Sequence, residues 1–330
     1  MQFAAITGTA GRSKHWIGSR PTTAGKSKTG DRMNTILYES INSEEERLKV
    51  ALDWREDPEI IYFKNGHYRL SLNLKEYEIQ DECLCLVNAG VLRKLESLGP
   101  KGVAYALPIH LENLYFQKED DPVNTALLRP LQDGRLGFSD FITVSDFGFL
   151  QVLQIFNEMV RRYRNFGTKM ESREGGIRTY AMQAVAEQLI IKADLLRLIA
   201  LLDANALVHE KSATDTDKQV IAIKESIRYI REHYQEKIYV RNLSELTGLN
   251  EQYFIRFFGS VTGESPLDYV NAYRVEQAAR LLRESDTHVY EIAEQCGFHN
   301  IGNFIKIFRS FMGQTPHKYR KQFGREEDAT

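Results

Sequence analysis

Side chains that can hydrogen-bond to bases or phosphates occur in two C-terminal segments. The first segment contains Gln252 and Arg256, and the second contains Asn303 and Lys306. Amide and guanidinium groups can make two parallel hydrogen bonds to the edge of a base, and an ammonium group can pair with a phosphate. These residue types therefore favour recognition of a polyanion such as DNA.

The two segments belong to an internal repeat. Five residues recur 50 positions later: Phe254, Phe258, Gly263, Pro266 and Tyr269 recur as Phe304, Phe308, Gly313, Pro316 and Tyr319. Three others recur 49 positions later: Leu243, Glu245 and Gly248 match Ile292, Glu294 and Gly297. Since the sequence holds only two copies, the repeat favours two duplicated helical modules over a solenoid array.

Each copy has the pattern of a helix-turn-helix unit. A short helix is predicted to end at a glycine, which can turn at positive φ, and the next helix carries two phenylalanines on one face. Ser265 can cap and Pro266 can start a helix that joins the copies over residues 266–284. Two recognition helices held about 34 Å apart could enter successive major grooves.

Residues 238–323 resemble the DNA-binding domain of the AraC/XylS family of transcription regulators. The resemblance is carried by the runs Ile292–Phe298 (IAEQCGF) and Thr315–Arg320 (TPHKYR) and by Arg274 in the joining helix. It is weaker over residues 50–207, whose strands followed by helices are similar to the cupin-like effector and dimerisation domains of many members. The resemblance implies a sequence-specific regulator, by family habit an activator, that works as a homodimer on double-stranded DNA with RNA polymerase.

Carried over position by position, the resemblance assigns DNA contacts to both units. The base contacts fall on Gln252, Arg256, Ile301, Gly302, Asn303 and Lys306. The candidate phosphate contacts are Arg309, Lys318 and Arg320. Because Ile301 and Gly302 lack polar side chains, we expect the first unit to dominate base readout and the second to rely on phosphates and DNA shape. The alternative for each of these residues is ordinary solvated surface.

Charge and length predict two domains with different partners. The 330 residues exceed the usual ~100 to 200 of one domain. Residues 33–217 hold 21 basic and 29 acidic side chains, a net charge of −8, and residues 218–325 hold 16 basic and 12 acidic ones, a net charge of +4. Such a balance suits a polyanion at the C-terminal end only.

The predicted fold class is α+β. Between residues 59 and 147, short apolar runs alternate with turn signals such as Asn65-Gly66, which favours an antiparallel sandwich or a small barrel. The resemblance to cupin-like domains implies the barrel. Helical periodicity follows, and the C-terminal domain is predicted to be all-α. The expected order is a disordered extension at 1–32, a cupin-like β-barrel at 33–147, a helical dimerisation segment at 148–208, a linker at 209–217 and the DNA-binding domain at 218–325.

A predicted helix between residues 179 and 207 carries a seam resembling that of a coiled coil. The seam residues follow one another at steps of four and three: Ala184, Gln188, Ile191, Leu195, Leu198 and Leu202. Such a seam packs either on the barrel of its own chain or on a second subunit, and the sequence leaves both interpretations open.

Catalytic and metal-binding signals are sparse in the strand region. It contains two histidines, His67 and His110, and no His-x-His pair, whereas a metal-dependent cupin enzyme needs clustered His and carboxylate ligands. We therefore expect no catalytic residue, metal or cofactor. The competing hypotheses are a cupin enzyme fused to a helical domain and an architectural DNA-binding protein without an effector.

The preferred mechanism is a population shift. A small molecule, for example a sugar, would bind in the barrel and change how a dimer presents its DNA-binding domains. The polar and aromatic side chains that could line such a pocket are Tyr62, His67, Tyr68 and Arg69.

Targeting and redox signals add little. No segment approaches the roughly 20 apolar residues that cross a bilayer, and the first thirty residues lack a secretory signal, so a cytoplasmic location without membrane contact is expected. Cys83, Cys85 and Cys296 are predicted to be reduced core thiols. The run 112–117 (ENLYFQ) resembles the cleavage site of a plant-virus protease, but its place inside a predicted domain favours coincidence.

Overall fold

The computed structural model describes residues 36–43, 47–170, 177–211 and 218–323. These residues form two compact units, a sheet unit up to residue 211 and a helical unit from residue 218. The predicted α+β class is confirmed, because one unit is an antiparallel sheet with helices and the other is helical. The predicted extension 1–32 and linker residues 212–217 lie outside the described residues.

The sheet unit contains strands and three α-helices. Its strands are β1 (Ile36–Asn42), β2 (Lys49–Asp53), β3 (Glu59–Leu72), β4 (Lys75–Ile79), β5 (Cys83–Val87), β6 (Arg93–Pro108), β7 (Leu136–Phe138), β8 (Phe141–Thr143), β9 (Thr168–Met170), β10 (Ile177–Ala181) and β11 (Val208–Glu210). Its helices are α1 (Arg129–Gln132), α2 (Phe149–Phe166) and α3 (Val185–Ala204). The main sheet has the order β8-β5-β3-β6-β1-β10-β9, with β2 also paired to β6 and β4 to β3. Among the described strands these pairings form an open path, so no closure into a barrel is seen.

The Asn65-Gly66 pair is not the hairpin turn that its sequence suggests. β3 continues through both residues, and its register with β6 shifts on either side of them. Gly66 has φ +112°, and a Cβ there would lie 2.7 Å from the Cα of Gly102. Glycine is needed for a bulge and a close approach of two strands, not for a reversal. The chain turns instead at Asn73 and Leu74, both of which have positive φ.

Apolar side chains line both faces of the sheet. Ile60 and Tyr62 of β3 belong to the core that also contains residues of α2 and α3, whereas Ile61 and Phe63 belong to a second core built mainly from strand residues. The alternation of β3 therefore fills two cores. All three cysteines are buried and free, as predicted, and burial raises the pKa of the Cys83 thiol to about 12.

The predicted helical seam is used mainly inside the sheet unit. Its members Ile191, Leu195, Leu198 and Leu202 are buried in the core that α2 and α3 share with the sheet. This favours the interpretation in which that part of the seam packs on its own chain. None of the described helices is long and apolar enough to span a membrane.

The protease-like run is also part of the packed unit. Leu114 is buried in the same core, and the Asn124 side chain accepts from the backbone N–H of Phe116 and donates to its carbonyl.

The helical unit contains two helix pairs joined by one long helix. Its helices are α4 (Lys218–His233), α5 (Val240–Thr247), α6 (Glu251–Thr262), α7 (Pro266–Glu284), α8 (Val289–Gln295), α9 (Ile301–Met312) and α10 (Pro316–Phe323). We call α5–α6 the first module and α8–α9 the second module. The joining helix α7 has the span expected from the sequence. It begins at Ser265, whose hydroxyl accepts a hydrogen bond from the N–H of Asp268, and carries Pro266 in its first turn.

Candidate nucleic-acid interface

The recognition helices α6 and α9 begin in the same way. The side-chain oxygen of Asn250 accepts a hydrogen bond of 2.8 Å from the N–H of Tyr253, and Asn300 accepts one of 2.8 Å from Asn303. Each asparagine thereby satisfies an N–H that a helix start leaves unpaired. Both amides are used in capping, which fixes the first turn that would face a base.

Matching aromatic rings hold the inner faces of α6 and α9. The rings are Phe254, Phe258 and Tyr269 in the first module and Phe304, Phe308 and Tyr319 in the second. In each module the two phenylalanine centroids are 5.5 Å apart, and the tyrosine ring lies edge-on at 5.3 or 5.5 Å. Since all four phenylalanines are fully buried, the opposite face of each helix is left outward.

The outward face of α6 carries long polar side chains. Gln252 and Arg256 lie one turn apart and are both exposed. Tyr253 is 38% exposed, its ring stacks on Phe257, and its hydroxyl accepts a long hydrogen bond from Gln219 of α4. This face can present an amide and a guanidinium group to the same stretch of a groove.

The outward face of α9 is poorer in such groups. Ile301, Gly302, Asn303 and Lys306 are all exposed, as their predicted role requires. Lys306 occupies the position equivalent to Arg256. A Cβ on Gly302 would approach only the Asn300 side chain, at 3.3 Å, so this turn presents mainly backbone.

The three candidate phosphate contacts do not lie in equivalent environments. Arg309 and Lys318 are exposed, whereas Arg320 is half-buried and donates a 2.5 Å hydrogen bond to the carbonyl of Thr287. Arg320 therefore ties α10 to the segment before α8. Its availability to a phosphate is correspondingly lower than that of the other two.

The second module has the more basic surroundings. Exposed cations of α9 and α10 are Lys306, Arg309, Lys318 and Lys321, and the residues 50 positions earlier are Arg256, Gly259, Asp268 and Asn271. Lys321 was not identified from the sequence. A comparison of charges between the two repeats, rather than of the matching residues alone, would have found it.

The predicted effector residues Tyr62 and Tyr68 lie in different cores. Tyr62 packs under α2 and hydrogen-bonds to Glu82, and burial is the main cause that raises its pKa. Tyr68 lies in the second core, where its hydroxyl accepts a 3.2 Å hydrogen bond from Asn42. The structure does not bring these two rings into one site.

The other two predicted effector residues are near the surface. His67 pairs with Glu78, which lowers the pKa of that carboxyl, and Arg69 is exposed. His110 pairs with Asp57 at 2.7 Å. Among the described residues, no group of three His, Cys, Asp or Glu side chains is placed to hold a metal ion.

A buried carboxylate in the sheet unit was missed by the sequence analysis. Glu39 on β1 is fully buried, accepts hydrogen bonds from Arg164 at 2.6 Å and from the Tyr180 hydroxyl at 3.0 Å, and lies 3.8 Å from Arg178. A single acidic residue in a strand gives no signal by itself, because its partners come from α2 and β10.

Residues 243–322 match the family of helix-turn-helix domains. The uncharacterized HTH-type transcriptional regulator YobQ of Bacillus subtilis is 33% identical over 95 residues, which cover 29% of this chain and 39% of YobQ. The chain thus spans less than half the length of that relative.

Two solved structures are similar to the same region. The DNA-binding domain of AdpA, determined in complex with a target DNA, is 34% identical, and the match covers 31% of this chain and 92% of that domain with a TM-score of 0.30. A probable AraC family transcriptional regulator from Rhodopseudomonas palustris is 26% identical, with 32% of this chain and 99% of that one covered and a TM-score of 0.30. The helical unit of this chain therefore carries a helix-turn-helix domain, and its sequence is similar to that of a probable AraC family regulator.

Proposed function

We propose that this protein regulates transcription by binding specific double-stranded DNA through both helix-turn-helix modules. The observation that carries the proposal is the repeated scaffold, which leaves Arg256 and Lys306 exposed at equivalent positions of two recognition helices. The AdpA domain, a sequence relative of this region, was solved with its target DNA. Side chains in the first turns of such helices reach base edges.

The two modules have different roles in this proposal. The first reads bases through Gln252 and Arg256. A guanidinium group can donate to two acceptors of one base, and an amide can donate one hydrogen bond and accept another. The second contributes Lys306 and Arg309 together with Lys318 of α10, which neutralise phosphates and fix the register. Ile301, Gly302 and Asn303 add contacts that depend on DNA shape more than on hydrogen bonds.

Footprinting tests this proposal. The purified full chain is incubated with DNA from upstream of its own and neighbouring genes, at several salt concentrations. A protected site is expected. Its affinity should fall steeply as salt rises, because binding releases cations from the DNA phosphates and this release is less favourable at high salt. Failure to protect any site at moderate salt would exclude specific DNA binding by this chain.

A second copy of this chain is the proposed partner of the exposed side of α3. Opposite its buried face, α3 presents an apolar stripe in which Val185 is 81% and Leu189 is 68% exposed. The stripe continues through the exposed Ala193 and Ala200, and the half-buried Leu196 lies between them. A helix that is apolar on two sides usually buries both, and the alanines allow another helix to approach closely. The dimer face is thus not the seam suggested by the sequence, which is largely internal.

Self-association is tested by sedimentation of Leu189→Glu. The variant is expected to be monomeric at concentrations where the wild type is dimeric, because a charge would be buried in the interface. Arg197→Glu changes an exposed residue of α3 outside the stripe and serves as the control. Equal sedimentation of wild type and Leu189→Glu would show that this stripe is not the interface.

In the complete proposal, the sheet unit binds a small-molecule effector and thereby shifts how a dimer presents its helical units to DNA and RNA polymerase. Repeating the footprint with candidate metabolites, sugars among them, tests this step. A footprint that no metabolite alters would favour an architectural protein without an effector. Location in the cytoplasm, where the DNA is, belongs to the same proposal.

A further inference from the structure

Arg274, in the middle of α7, holds the segment that leads into the first module. Its Nε donates a 2.7 Å hydrogen bond to the carbonyl of Tyr234, and its Nη2 donates a 2.6 Å bond to the carbonyl of Glu236. Tyr234 and Glu236 lie just after the end of α4, so their carbonyls need donor partners from outside the helix. A guanidinium fork suits them because it offers two donors in a fixed plane.

The same segment abuts the turn of the second module. Gly297 has φ +80°, and a Cβ built on it would lie 2.6 Å from the Tyr234 carbonyl oxygen and 2.8 Å from that of Gln235. Backbone of the α4–α5 connection therefore lies directly on the turn between α8 and α9. The equivalent glycine of the first module, Gly248, has no described atom within 4 Å of such a Cβ.

Phe298 links this contact to the core of the second module. Its ring lies 5.7 Å from the Arg274 guanidinium carbon and 5.0 Å from the ring of Phe304 on the recognition helix α9. Packing of this kind partly removes the guanidinium from water, and burial lowers the Arg274 pKa from its ordinary value. The side chain is thus partly buried between the α4–α5 connection and the turn of the second module.

We infer that Arg274 is a positioning residue that locks the two recognition helices in one relative arrangement, so that the protein accepts DNA whose two contact sites have one spacing. The joining helix α7 alone fixes only one connection between the modules. The contacts of Arg274 and Gly297 add a second connection, from the start of the first module to the turn of the second. This inference rests on the proposed DNA binding by both modules.

Spacing discrimination is the measurement that tests it. The wild-type full chain first selects duplexes from a random-sequence pool. The enriched sequences define the bases read by the first module and the adjacent site whose shape suits the second. Binding is then measured for that duplex and for versions with one base pair inserted or removed between the two sites. Each change rotates one site by about 35° relative to the other. Wild-type affinity is expected to fall about tenfold or more, as for a mismatched base pair.

The variant R274A should bind the selected duplex more weakly and lose most of this discrimination, with a penalty of about threefold or less for the altered spacings. R274K, which keeps the charge but lacks the fork, should lie between R274A and wild type. R228A removes an equal charge from an exposed site on α4 and should keep the wild-type ratios. Ratios between duplexes do not depend on the fraction of folded protein, so a loss of stability alone would leave them unchanged.

Two results have distinct meanings. If the wild type enriches no sequence from the pool, the proposed function fails. If it does, and R274A retains the wild-type ratios across the three spacings, Arg274 does not set the register and the inference is overturned.

Discussion

The two modules share a scaffold and differ in what lies around it. Gly263 and Gly313 end the two recognition helices at positive φ, and the caps at Asn250 and Asn300 have equal lengths. The surroundings differ in two ways. The turn of the second module is covered by backbone of the α4–α5 connection, and α9 and α10 carry more exposed cations than the equivalent helices of the first copy. The two copies thus share the residues that stabilise the fold of each module. The residues around each module determine how it takes part in binding.

The largest effects are expected where the scaffolds are alike. Phe258→Ala and Phe308→Ala should each destabilise their own module by about 3–5 kcal/mol, since both rings are fully buried. Hydrogen exchange of peptides from α6 and α9 reports each module separately. Ile255→Ala and Ile305→Ala are matched controls, because both side chains are 38% exposed and should cost much less. A large difference between the two phenylalanine variants would break the equivalence of the scaffolds.

Substitution of the two turn glycines should cost different amounts of stability in the two modules. Gly297→Ala is expected to cost about 3 kcal/mol, because the left-handed conformation is strained and the methyl group would meet backbone oxygens. Gly248→Ala has the strain without the collision and should cost about 1 kcal/mol. Urea unfolding followed by far-ultraviolet circular dichroism measures both.

Asparagine substitutions distinguish backbone strain at positive φ from collision of the side chain with backbone oxygens. Asparagine tolerates positive φ, so Gly248→Asn should recover much of the loss, while Gly297→Asn should not. Recovery at both positions would mean that the contact with the Tyr234 carbonyl is unimportant.

Repetition made much of the helical unit predictable from sequence. Phenylalanines at i and i+4, a glycine at each turn and a proline at the start of α7 are local signals with one physical meaning each. Their recurrence 49 or 50 residues later makes chance a poor explanation. The exposure of Arg256 and Lys306 follows from the same periodicity. The roles of Arg274 and Arg320 do not follow from it. Both side chains donate to backbone carbonyls of residues distant in the sequence, and since every residue has a carbonyl, the sequence does not indicate which one is the acceptor.

The sheet unit was predicted less completely for a related reason. Alternation with polar residues predicts that Tyr68, Leu70, Leu72 and Leu74 share one face of a strand. The structure buries the first three and places Leu74 in the turn after β3. Alternation did not show that Gly66 would allow β3 to approach β6 closely at Gly102, because turn preferences depend only on residues adjacent in the sequence. The effector residues failed to converge because β3 shifts its register with β6 on either side of Asn65 and Gly66. Strict alternation would put Tyr62 and Tyr68 on one face, and the shifts place them in two cores.

Arg256 and Lys306 test the proposed division of roles. Arg256→Ala should cost about 1–3 kcal/mol on the footprinted site and less on scrambled DNA, because it removes a base contact. Lys306→Ala should weaken binding to both DNAs about equally and reduce the salt slope by about 1, because it removes a phosphate contact. Fluorescence anisotropy on the two duplexes over a salt series separates these outcomes, with R228A as the charge control. If the pattern is reversed, the second module is the one that reads bases.

The smallest effect is expected at the helix caps, and it addresses how the first turns are prepared for DNA. Asn250→Ala and Asn300→Ala should each cost about 1 kcal/mol, since one N–H of the first turn loses its partner. Serine can cap as well as asparagine, so Asn250→Ser and Asn300→Ser should restore stability measured by hydrogen exchange. If the amides also contacted bases, the serine variants would regain stability while specific affinity stayed low. Recovery of both properties at both positions would show that these side chains act on DNA only by shaping the helix start, which leaves base reading in the first module to Gln252 and Arg256.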